Sequence, residues 1–91
     1  MRYEVLQMLY RASEANAGRQ VSTWRFAHHL GVWEEEVWNS LMWLEQAGFV
    51  RILGSGPLVS ITLGGIHYLE HEARRRKTVR GITPPDEEVL R

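Results

Sequence analysis

Apolar residues recur along this chain first with a helical period, then with strict alternation, then with a helical period again. In residues 2–15, Val5, Leu6, Leu9 and Ala12 fall on one stripe with no Gly or Pro between them. This predicts an amphipathic helix that "NAG" at 16–18 ends. Tyr3 and Tyr10 lie off the stripe and give the helix a second, partly apolar face. "RQVS" at 19–22 has room for one bridging strand, and Ser22 stands where its hydroxyl can cap the next helix. That helix, "TWRFAHHL", is barely two turns long. It turns Phe26, Ala27 and Leu30 inward and stops at Gly31, the residue type best able to take the left-handed closing conformation. A third helix is predicted over 34–46, with Val37, Leu41 and Leu44 as its inner stripe and Gly48 as its stop.

After Gly48 the period changes to two. "FVRIL" and "LVSIT" flank the Gly/Pro turn "GSGP", which predicts a β-hairpin. Thr62 can cap a fourth helix in which Ile66, Leu69 and Ala73 share a face. Its last turn carries Arg74, Arg75, Arg76 and Lys77, cations that favour the negative end of the helix dipole. Gly64 and Gly65 weaken its first turn by roughly 1 kcal/mol each relative to Ala. "ITPPDEEVLR" has two prolines and no period, so 81–91 is expected to be a loose tail or a strap across a partner, and 1–80 the folded domain. The expected class is mainly α with a small β-hairpin.

Helix, short strand, helix, turn, helix, β-hairpin, helix is the order of a winged helix-turn-helix domain. "VSTWRFAHHLGVWEEEVWNSLMWLEQAGFVRI" resembles the core of bacterial winged-helix transcription regulators of the MarR and PadR kind. "ITLGGIHYLEHEARRR" is similar to the stretch after the wing, which in that family opens a dimerisation helix. The resemblance implies a homodimer through the first and fourth helices, with Tyr3, Tyr10, Ile66, Tyr68 and Leu69 at the contact. It also implies that the third helix enters the major groove of double-stranded DNA while the hairpin touches the adjacent backbone. Carried over residue by residue, the DNA-contacting positions are Thr23, Arg25, Glu35, Trp38, Asn39 and Arg51. Asn39 is the one suited to reading an adenine edge. Transcriptional regulation by DNA binding is therefore the leading expectation.

Three tryptophans on the third helix open an alternative. A tryptophan in a thin domain is ordinarily buried, so any one of Trp33, Trp38 and Trp43 is expected to help complete the core. The inner stripe is already filled by Val37, Leu41 and Leu44, however, which leaves Trp38 and Met42 outside unless a partner covers them. Trp33, Trp38, Met42 and Trp43 thus form a candidate protein-interaction surface, Trp43 standing on the hairpin side. Trp33 also occupies the N-cap position, where its side chain accepts no hydrogen bond; only Glu36 can reach back, as half of a capping box.

Charge sharpens the choice. The formal net charge is zero, but residues 34–48 hold four Glu and no cation, while 49–80 hold six basic residues against two acidic. Glu34, Glu35 and Glu36 suit a helix N-terminus and repel a duplex carrying one negative charge per roughly 1.7 Å. The chain has no cysteine, which excludes disulfides, thiolate metal sites and thiol nucleophiles. It has no Gly-rich phosphate loop, no serine in a nucleophile setting and no carboxylate pair in an expected cleft. We therefore expect a binding module rather than an enzyme, with no cofactor. His67 and His71 stand four apart, but "HYLEH" lacks the Glu of a zinc-protease helix and a third ligand, so no metal site is assigned. No apolar run reaches membrane-spanning length and the N-terminus is not a signal segment, which makes the cytoplasm the expected location.

Overall fold

The computed structural model describes residues 1–54 and 57–81, with side chains through residue 75. Among the described residues, four helices and a three-stranded antiparallel sheet form an α+β arrangement: α1 (Arg2–Ala12), β1 (Val21–Ser22), α2 (Phe26–Leu30), α3 (Glu34–Gln46), β2 (Val50–Ile52), β3 (Leu58–Ile61) and α4 (Leu63–Gly81). Gly81, the first residue of the expected tail, still belongs to α4, and residues 82–91 lie outside the described residues.

The first helix is shorter than its period suggests. Val5, Leu6 and Leu9 are fully buried, but Ala12 is exposed and the helix closes at Ser13, whose hydroxyl donates to the Tyr10 carbonyl (3.1 Å). A serine that finds a nearby backbone acceptor competes with further helix. Glu14 and Ala15 then take left-handed conformations (φ 55° and 61°) that turn the chain toward the sheet.

β3 is the central strand. Val59 faces Val21 of β1 on one side and Ile52 of β2 on the other, and Ile61 faces Val50. Val21, Val50, Val59 and Ile61 are all buried, as alternation requires when one sheet face packs on helices. The Glu45 carboxylate at the end of α3 accepts the edge-strand Ile52 N–H (3.0 Å), satisfying a donor that would otherwise stand open at the sheet edge.

Ser22 does not cap the second helix. It is paired with Leu58 in the sheet, and α2 starts later, at Phe26. Thr23 instead ties this segment to the hairpin: its N–H (3.0 Å) and its hydroxyl (2.8 Å) both donate to the Pro57 carbonyl. Gly31 closes α2 in the left-handed region (φ 68°), and the Val32 N–H returns to the Ala27 carbonyl. α3 buries Val37, Leu41 and Leu44, with Ser40 beside them, and packs against α1, α2 and β2. The Trp33 N–H donates to the Glu36 carboxylate (3.4 Å), the half-box that a tryptophan cap permits.

Thr62 caps α4 by accepting the Gly65 N–H (3.0 Å) while donating to the Gly48 carbonyl (2.6 Å). Gly65 is required by packing: a Cβ there would overlap the Phe49 carbonyl oxygen and stand 2.9 Å from Ile61 Cγ1. Its helix-weakening cost is thus incurred so that α4 can sit directly on the turn leaving α3. Ile66 and Leu69 are buried, whereas Ala73 is exposed and does not extend their face. Among the described side chains of α4, Leu69 is the last that is buried.

Candidate interaction surface on the third helix

No tryptophan belongs to the core. Trp24, Trp33, Trp38 and Trp43 are 68%, 78%, 39% and 42% exposed, which corrects the expectation that individual tryptophans complete the interior. Val5, Leu6, Leu9, Leu41, Leu44, Val59 and Ile61 fill that space with aliphatic side chains and leave no room for an indole. Trp38 and Met42, one helical turn apart, stand outside as expected, Met42 at 45% exposure.

A cleft of about 470 Å³ opens between the segment before α2, the N-terminal half of α3 and the return of the hairpin. Trp24, Trp38 and Pro57 line it together with Thr23, Ala27, Val37 and Leu41, and its charged groups are Glu34 and Glu35. Ala27, Val37 and Leu41 are core residues, so the cleft reaches down to the hydrophobic interior. Among the described residues no Lys, Arg or His lines it. The Glu34 and Glu35 carboxylates make no hydrogen bond or ion pair with the described residues; of the first-turn carboxylates only that of Glu36 is engaged there, with the Trp33 N–H.

Trp43 faces elsewhere. The Arg2 guanidinium lies 4.1 Å from its ring centroid, and Tyr3, Ser40 and Tyr68 share its hollow on the α1 and α4 side of α3. The sequence-derived set of Trp33, Trp38, Met42 and Trp43 is therefore not one surface. Trp43 leaves it, and Trp24, which the sequence reading passed over, joins Trp38. The signal was present: Trp24 lies off the Phe26, Ala27 and Leu30 stripe, next to a turn.

Of the residues assigned to DNA, Thr23, Glu35 and Trp38 meet in the cleft beside Trp24, while Arg25, Asn39 and Arg51 do not line it. Thr23 is buried with its hydroxyl committed to Pro57. Glu35, Trp38 and Asn39 lie exposed on α3, Arg51 is exposed on β2, and Arg25 lines a different hollow with Arg11 and His29.

The residues assigned to a dimer contact mostly serve the chain's own interior. Ile66 and Leu69 are core residues, so they are not on the surface; Tyr3 and Tyr10 pack half-buried against the same core. The Tyr10 hydroxyl donates to the Glu70 carboxylate (3.1 Å), joining α1 to α4, and this hydrogen bond, aided by desolvation and the nearby charge, raises the phenol pKa. Tyr68 stacks on Phe49 with centroids 4.6 Å apart. His67 and His71 are exposed on α4, and among the described residues no three His, Asp or Glu side chains converge as metal ligands. Among those residues, too, no helix is long and apolar enough to cross a membrane.

Comparison with protein-family models, with curated proteins and with solved structures returned no match.

Proposed function

We propose that this chain is a winged-helix protein-binding module whose working surface is the outer face of α3 together with Trp24. The observation that carries the reading is the cleft walled by Trp24 and Trp38 and rimmed by Glu34 and Glu35, which have no side-chain partner among the described residues. Large exposed aromatics beside an apolar depression are the composition of a protein-contact surface, where Trp and Met are enriched. Covering one such side chain releases roughly 1.5–3 kcal/mol. A phosphate backbone finds no cation among the described residues of this cleft and is repelled by the carboxylates. The winged-helix assignment is supported by the helix–helix–hairpin succession of α2, α3, β2 and β3 and by the pairing of β1 onto β3.

Transcriptional control through duplex DNA is the second reading, favoured by one observation: Asn39, suited to an adenine edge, is exposed on α3, with Arg25 and Arg51 exposed on flanking elements. Fluorescence anisotropy with a mixed-sequence duplex across a salt series separates the two. Protein contact predicts no association at low salt. A DNA regulator making even four phosphate contacts gives log affinity falling against log salt with a slope of about −3.6, and that slope would overturn our reading.

A further inference from the structure

The cleft is selective in charge as well as apolar. We infer that the partner segment seated between Trp24 and Trp38 presents a lysine or arginine side chain to Glu34 and Glu35. The inference rests on the protein-binding reading above and narrows it to one partner chemistry, a basic protein segment.

Two independent features point to a cation. Indole faces attract ammonium and guanidinium groups through the ring quadrupole, and both Trp24 and Trp38 line the cleft. The chain itself uses this pairing nearby, where Arg2 lies 4.1 Å from the Trp43 centroid. The second feature is the pair of carboxylates, which have no partner among the described residues. The positive end of α3 offsets about half a unit of charge, less than two carboxylates carry. An apolar or acidic segment covering the cleft strips water from Glu34 and Glu35 and puts nothing in its place. A lysine or arginine replaces that water, and the apolar walls strengthen the attraction by lowering the local dielectric.

The test uses the full chain, a short labelled Leu/Lys/Ala peptide, and its counterpart with Glu at every Lys position. Anisotropy titrations at low salt are expected to show the Lys peptide binding roughly tenfold tighter, about 1.4 kcal/mol. The preference should fall to about twofold in the Glu34→Gln/Glu35→Gln double variant and shrink as salt screens the exposed charges. Trp24→Ala should weaken the Lys peptide with the fold intact by circular dichroism, since Trp24 is outside the core. A Glu peptide that binds equally well, a double variant that keeps the preference, or no binding of the Lys peptide overturns the cationic inference. Equal binding of both peptides leaves protein contact standing. A nucleic-acid adduct formed by photoreactive benzoylphenylalanine at position 38 removes protein contact itself.

Discussion

Gly65 shows how one residue can look like a weakness in the sequence and be a requirement in the fold. Periodicity registers a poor helix former in the first turn of α4, because the neighbour that excludes a side chain, the Phe49 carbonyl, is sixteen positions away in the chain. Gly65→Ala is therefore expected to destabilise the protein by about 1–3 kcal/mol, as overpacking does, although alanine is the better helix former. Thermal or urea unfolding of the variant checks this; an unchanged or raised midpoint contradicts the packing. Tyr10 makes a prediction in pH. Its phenol pKa is raised in the fold by Glu70, so the folded state holds this proton more tightly than the unfolded chain. The linked stabilisation is fully present below the ordinary phenol value of 10.0 and is lost as pH rises through the higher folded value. Unfolding midpoints followed upward from pH 9 should fall less steeply in Tyr10→Phe than in the parent.

At the scale of elements, the inner stripes of α1 and α3 were legible because a 3.6-residue period needs only local sequence. Gly31 and Thr62 were legible because stop and cap chemistry is local as well. The start of α2 was not. Ser22 has good capping chemistry, but pairing with Leu58 takes it into the sheet, and that contact is non-local. Ala73 was misplaced for a related reason: among the described side chains of α4 burial ends at Leu69, although the helix and its period continue through Ala73. The division of α3 into an inner stripe and an outer face predicts opposite outcomes for two neighbouring substitutions. Leu41→Ala, at 1% exposure, should cost 2–5 kcal/mol, roughly, as a cavity-forming change. Trp38→Ala, on the outer face, should stay within about 1 kcal/mol of the parent, despite removing more atoms. Comparable losses in chemical denaturation would mean that Trp38 is part of the core.

For the whole molecule, the α+β class and the hairpin were readable from the change of period, and the acidic character of 34–48 from charge alone. What the sequence hid was the meeting of distant residues. Trp24 and Pro57 come to the same cleft as Trp38 because β1 pairs with β3 and Thr23 is held to the Pro57 carbonyl. That pairing turns an aromatic helix face into an open, negatively charged depression. It also separates Trp43, which the α1 and α4 side claims through Arg2 and Tyr68. The most direct test replaces Trp38 with a photoreactive benzoylphenylalanine in the full chain and irradiates it in its native cell. A discrete protein adduct that disappears with Trp24→Ala is expected; an adduct to nucleic acid, or a protein adduct indifferent to Trp24, would contradict a Trp24–Trp38 protein-binding cleft.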